Sequence, residues 1–261
     1  MDILTAIILG FVEGATEFIP VSSSGHLILA REILGITEGG LSFDAVLQLS
    51  ASCALLVYFW KDILHIFKTA FLWIKKDKVL DDDKILIKAI FWGTIPAVIF
   101  GLLLEDYMDT AFRNIDLVAV TLILGSILFY VAQKFAKQNE TLTLGKGIMI
   151  GVFQCLALVP GVSRSGATIS GGLLAGLKQV DAVRFSFLLS IPVVFGAGLK
   201  KLFEVWSTIQ GDVVMALIIG SITAFITGLV AIGFLIRFLK NNSLNIFIVY
   251  RIVLAVIILS L

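Results

Sequence analysis

Six stretches of the chain, about 43–60, 86–104, 117–136, 183–203, 213–236 and 244–261, run nearly uncharged for close to the ~20 residues that an α-helix needs to cross the ~30 Å hydrocarbon layer. Charged residues make up only 15% of the sequence and its mean hydropathy is +1.04, whereas soluble domains carry roughly 25% charged residues. The bilayer is therefore the solvent this chain is built for. It is predicted to be an all-α integral membrane protein with a single membrane domain over 1–261. A net charge of +1 excludes a strongly basic nucleic-acid binder. Cys53 and Cys155 each sit alone in apolar segments, so neither a disulfide framework nor a zinc site is expected. The start, Met-Asp with Glu13 and Glu17 inside the first apolar run, lacks the basic head of a cleaved signal and predicts a retained segment.

Two further regions, 3–30 and 147–176, are apolar but interrupted by Glu, Pro, Ser, Gly and Arg. Backbone that leaves the helix at membrane depth is tolerated only where protein encloses it or it lines a cavity, so both read as broken or re-entrant helices. They also resemble each other. Gly10-Phe-Val-Glu13 through Pro20-Val-Ser-Ser-Ser24-Gly25 parallels Gly151-Val-Phe-Gln154 through Pro160-Gly-Val-Ser-Arg-Ser165-Gly166, about 140 residues later. Gly93-Thr-Ile-Pro-Ala-Val-Ile-Phe-Gly-Leu102 likewise matches Gly220-Ser-Ile-Thr-Ala-Phe-Ile-Thr-Gly-Leu229. Each half then holds one broken region followed by three spans, an odd number of crossings, which predicts two inverted-topology repeats over about 1–137 and 145–261. Under that topology fourteen Lys and Arg residues fall on one side and four (Arg31, Arg113, Lys200 and Lys201) on the other, with Arg164 and Arg251 inside the membrane. The positive-inside bias makes the first side cytoplasmic and turns both termini outward. The stretch Lys75-Lys76-Asp77-Lys78 and Asp81-Asp82-Asp83-Lys84 reads as a solvated cytoplasmic loop and not as a metal or lipid-headgroup site, with His65 an ordinary loop or interfacial residue.

Acidic and basic groups inside a membrane are costly and so mark function. Glu13 and Glu17 lie one helical turn apart and call for a cavity, a shared proton, a cation or a basic partner; with substrate phosphates they can hold Mg²⁺ or Ca²⁺. After Pro20, the run Ser22-Ser23-Ser24-Gly25-His26 offers hydroxyls, backbone N–H groups and an imidazole three residues from Ser23. The second break presents Ser163, Arg164, Ser165 and Thr168. No Asp or Glu lies within ten residues of Arg164, so its partner is either a bound anion or an acidic residue of the first repeat. Arginine, hydroxyls and a carboxylate-held cation are what phosphoryl transfer needs. Neither repeat holds the full set.

Glu13-Gly-Ala-Thr-Glu17-Phe-Ile-Pro-Val-Ser-Ser-Ser-Gly-His26 and Pro160-Gly-Val-Ser-Arg-Ser-Gly-Ala-Thr168 resemble the two signature motifs of the undecaprenyl-diphosphatases of the bacitracin-resistance type, and length and motif order extend the resemblance over the whole chain. It implies hydrolysis of undecaprenyl diphosphate to undecaprenyl phosphate and inorganic phosphate, recycling the carrier lipid for cell-wall synthesis and giving bacitracin tolerance. It also implies a divalent cation, Mg²⁺ or Ca²⁺, and a bacterial plasma membrane, while the topology, in which the first motif enters from the outer side, predicts an outward-facing site. By motif position Glu17, His26 and Arg164 are the leading site residues, with Glu13 beside Glu17 as a metal ligand. Ser23 is the expected nucleophile and His26 its base and later acid, while Ser163, Ser165 and Thr168 hold phosphate with Arg164. The same inventory also serves attack by a metal-bound water. Gln48 and Arg251 match polar positions of the family's membrane core. Small residues at Gly171, Gly172 and Gly176 suit close helix contacts, within the chain or in a homodimer. An inverted-repeat lipid flippase is the rival reading. A two-histidine lipid phosphatase is a second, weaker rival, since that type needs a histidine downstream of the arginine and none follows His65.

Overall fold

The computed structural model describes residues 2–36, 40–104, 107, 115–205 and 212–260. Arg113 of the charge count and Leu261 of the last expected span lie outside them. The first half folds as α1 (Ile3–Glu17), α2 (Ser23–Leu34), α3 (Gly40–Tyr58), α4 (Trp60–Ile74), α5 (Asp81–Leu103) and α6 (Ile115–Phe135). In the second half come α7 (Leu144–Cys155), a 3₁₀ turn (Leu156–Leu158), α8 (Arg164–Leu174), α9 (Gln179–Val205), α10 (Asp212–Phe238) and α11 (Asn245–Leu259).

Among the described residues α5, α6, α9 and α10 are long and apolar enough to cross a membrane. The span expected at 43–60 does not end there. α3 turns by 73° at Phe59 and continues as the fifteen-residue α4, and of the expected loop Asp81 to Lys84 are already the first turn of α5. The last expected span is also shorter than foreseen, because α11 has fifteen residues and a rise of about 22 Å.

Both broken regions fold as two helices separated by a non-helical link. The link runs from Phe18 to Ser22 in the first and includes the 3₁₀ turn in the second. The halves pack by exchange. α1 lies against α10 as α7 lies against α5, α3 meets α10 as α9 meets α5, and the pairs α3–α9 and α6–α11 join like elements of the two halves. The matched glycines explain the closest crossings: a Cβ at Gly10 would strike the backbone of Gly220, and one at Gly151 the backbone of Gly93. Small residues let helix backbones approach where hydrocarbon provides no hydrophobic drive. Gly171, Gly172 and Gly176 are similarly consumed inside the chain, facing Phe153, Ala182 and Glu140. The main apolar cluster lies between α1, α3, α9 and α10, where Phe187 meets the ring edges of Phe18 and Phe59 at centroid distances of 6.0 and 5.9 Å.

Candidate active site

The two links place equivalent serines in the same unusual backbone conformation. Ser22 has φ 74° and Ser163 φ 73°, a left-handed region that costs a non-glycine residue of order 1–3 kcal/mol and persists where surrounding structure imposes it. Each is the N-cap of the helix that follows, its hydroxyl accepting from Gly25 N at 3.4 Å or Gly166 N at 3.3 Å. Strain and cap together expose Ser23 and Arg164 as the first residues of α2 and α8. A direct bond also joins the links, because Gly161 N donates to Ser24 Oγ at 3.4 Å.

Arg251 of α11, fully buried, fastens them further. Its guanidinium donates to Pro20 O in the first link (3.4 Å) and Gly161 O in the second (3.0 Å), as well as to Leu122 O and Ser126 Oγ, and it packs 4.9 Å from the Phe129 ring centroid. Carbonyls that the helix breaks would leave unpaired are thereby satisfied, and the buried charge gains its compensation.

Between the links, Glu17 joins residues of both repeats. Arg164 Nη2 donates to Glu17 Oε1 at 2.6 Å, and Ser23 Oγ donates to Oε2 at 2.5 Å. Gln48 Nε2 approaches Oε1 at 3.4 Å. The acidic partner that Arg164 lacks along the sequence is therefore Glu17, and the expected meeting of the two motifs occurs at this carboxylate. A cavity of about 480 Å³ opens on the same cluster, with Glu13, Ser23, Ser24, Asp44 and Gln48 on its polar side. Its apolar side is formed by Leu27 and Ile28 of α2, Ala97 to Leu102 of α5, and Pro192 to Ala197 of α9. Glu17 stands one hydrogen bond behind Ser23 and Gln48, and Arg164 one further behind Glu17. The interior prolines Pro96 and Pro192 each remove a helical N–H donor beside the cavity.

Several expected placements differ. His26 does not reach Ser23: Nδ1 donates to Ser22 O at 2.7 Å, which leaves Nε2 of the neutral ring to accept from Tyr250 Oη, also at 2.7 Å. The imidazole thus braces the carbonyl of the strained serine, and its serine–base pairing is replaced by Ser23 on Glu17. Thr168 does not face the cavity either; it is fully buried and bonded to Ser186 and Arg164 O. Ser163 and Ser165 are buried and face each other at 3.3 Å, so of the four expected phosphate holders only Arg164 connects to the cavity wall, by way of Glu17.

Tyr250 and Asp44 are not among the residues the motifs point to, and Ser24 enters there only as one hydroxyl of the serine run. Asp44 lines the cavity mouth in a fork-like pair with Arg31, at 2.6 and 3.2 Å. An aspartate at the head of an apolar span was the available signal for it. Tyr250 offered none, lying 224 residues from His26 within an apolar helix.

The fit to a divalent cation rests on Glu13. Its Oε1 is buried without a hydrogen-bond partner, while both Glu17 oxygens are engaged. Among the described residues no group of three or more His, Cys, Asp and Glu side chains is placed to hold a metal by itself. Glu13 at the cavity fits the alternative manner of binding, in which one or two carboxylates and substrate phosphates share the ion.

The sequence model of a family described as "Bacitracin resistance protein BacA" matches residues 6–257. Among curated proteins, an undecaprenyl-diphosphatase of Mycolicibacterium smegmatis is 43% identical over 268 residues, covering 100% of this chain and 97% of that protein. Proteins of the same name from Chloroherpeton thalassium and Thermobifida fusca are 39% and 40% identical, covering all of this chain and 97% and 90% of theirs.

Proposed function

The chain belongs to the bacitracin resistance protein BacA family, and from that membership we propose that it hydrolyses undecaprenyl diphosphate to undecaprenyl phosphate and inorganic phosphate at the cavity where the two links meet. It is a membrane-bound phosphatase acting on a phosphoanhydride, and its product is the carrier lipid recycled for cell-wall synthesis. The observation that carries the site assignment is the Ser23–Glu17–Arg164 chain, a hydroxyl, a carboxylate and a guanidinium from both repeats within 2.6 Å of one another in sequence of contact.

The prenyl chain lies along the apolar wall between α5 and α9, with the diphosphate at Ser23 and Arg164. Arg164 uses one N–H of its fork on Glu17 and turns the rest to phosphate oxygens. Ser23 Oγ attacks the terminal phosphorus and gives its proton to Glu17 Oε2; the bond to the bridging oxygen breaks and undecaprenyl phosphate leaves. Glu17 passes that proton on to the departing undecaprenyl phosphate; water then attacks the phosphoserine phosphorus, its proton travels by way of Glu17 to the leaving Ser23 Oγ, and inorganic phosphate is freed. Glu13 would hold a divalent cation, Mg²⁺ or Ca²⁺, which would neutralise charge on the diphosphate. His26 and Tyr250 act as a positioning pair that fixes Ser22 and so aims Ser23.

The mouth of the cavity carries Lys200 and Lys201, which the charge count assigns to the outer side, so the site takes lipid from the outer leaflet. Phosphate release from undecaprenyl diphosphate by the protein reconstituted in liposomes, with Mg²⁺ or Ca²⁺ and with chelator, tests both statements. Cation-dependent release is expected, and only from molecules whose Lys201→Cys label is accessible on the face where lipid is supplied. Movement of intact lipid without release of phosphate would replace hydrolysis by transport.

Tyr250→Phe deletes the hydroxyl that holds His26 Nε2. Losing one such hydrogen bond costs about 1 kcal/mol, so kcat is expected to fall roughly five- to tenfold with KM unchanged. An unaltered kcat and pH profile would remove the pair from the mechanism.

A further inference from the structure

Helix α4 has three distinct faces. Ile63, Ile66 and Thr69 are turned inward, the two isoleucines against the main apolar cluster and Thr69 buried. Trp60, Leu64, Phe67, Phe71 and Ile74 recur at helical spacing and form one outward row, each 53–80% exposed. Lys61, Lys68 and Lys75, all exposed, stand seven residues apart. At 100° per residue that spacing confines them to a strip about 40° wide, directly beside the apolar row. Lys61 Nζ lies 5.7 Å from the Trp60 ring centroid and Lys75 Nζ 4.4 Å from that of Phe71, so the lysine stems follow the apolar row while their charges stay at its margin.

A helix of this length, turned 73° from the span that feeds it, does not cross the bilayer, and crossing would carry a row of ammonium groups through hydrocarbon. Lying in the interface satisfies all three faces at once. We propose that α4 is an in-plane membrane anchor, its aromatic row among the acyl chains and its lysine row binding the phosphates of anionic phospholipids. Charge complementarity selects these lipids over a protein partner. Asp62, the acidic residue within the helix, is paired with Arg184 and does not neutralise the row. Anchoring also fixes the bend at Phe59, at the end of α3 remote from the cavity residue Asp44.

The test uses the full chain in nanodiscs with Trp73, Trp92 and Trp206 replaced by Phe, leaving Trp60 as the reporter. Brominated phosphatidylglycerol at one fifth of the lipid is expected to quench Trp60 at least twofold more than brominated phosphatidylcholine at the same fraction. The K61Q/K68Q/K75Q variant is expected to equalise the two while phosphate release in detergent stays unchanged. Equal quenching by both lipids in the lysine-bearing protein would overturn the anionic selectivity. Absence of quenching by either would mean that a second copy or another protein covers α4, and would overturn the anchor altogether.

Discussion

Ser23→Ala is expected to reduce single-turnover phosphate release by on the order of 10³-fold or more, the scale on which enzymes lose rate when a covalent nucleophile is removed. Of the hydroxyls on the cavity wall, Ser23 is the one bonded to a carboxylate able to take its proton. Ser24 also lines the cavity, but its oxygen is held between Ser22 Oγ and Gly161 N. Ser24→Ala therefore removes two hydrogen bonds, one of them between the links, and is expected to cost no more than about thirtyfold, at about 1 kcal/mol for each. Quenched-flow release of labelled phosphate from the reconstituted variants measures both. Were Ser23→Ala to retain its rate within about tenfold, the attacking oxygen would belong to water activated at Glu13.

Arg164→Ala is expected to lower the rate about 10³-fold and also to weaken the fold. The first effect follows from losing the guanidinium that meets charge spread over the transferred phosphoryl group, where arginine contributes 10³–10⁵ in related chemistry. The second follows from leaving Glu17 buried without its cation, a change that costs about 3–5 kcal/mol in comparable sites. A paired variant separates them. Glu17→Gln together with Arg164→Met removes both charges and is expected to regain thermal stability in detergent while remaining inactive. Arg164→Lys is expected to keep stability but lose most of the rate, because a point charge cannot serve Glu17 and a phosphate together as the planar fork does. Activity retained in Arg164→Ala would remove this arginine from the site.

The helix breaks were legible because Pro, Gly and Ser interrupt otherwise apolar runs, and the exchanged packing of the halves was written in the matched glycines Gly10, Gly93, Gly151 and Gly220. The pairing of Glu17 with Arg164 was one of two open alternatives, since an isolated intramembrane arginine needs either an anion or an acid from elsewhere. What escaped was set by side-chain direction and by packing across the chain. Ser23 and His26 share a helix face, which suggested a hydrogen bond between them, yet the Ser22 carbonyl competes successfully for Nδ1. Thr168 looks like a phosphate ligand until Ser186, eighteen residues later on another helix, takes its hydroxyl. α4 is too short and too rich in lysine to register as a span, although the row from Trp60 to Ile74 carries the helical period.

Inverted repeats suggest a carrier that rocks one half against the other, and Arg251 argues against such a cycle here. One guanidinium grips a carbonyl in each link, so parting the links would strip a buried cation of its partners at every turnover. Nothing in hydrocarbon replaces them. The two broken regions are thus riveted to each other at the centre of the molecule, and a rocking cycle would have to break that rivet at each pass.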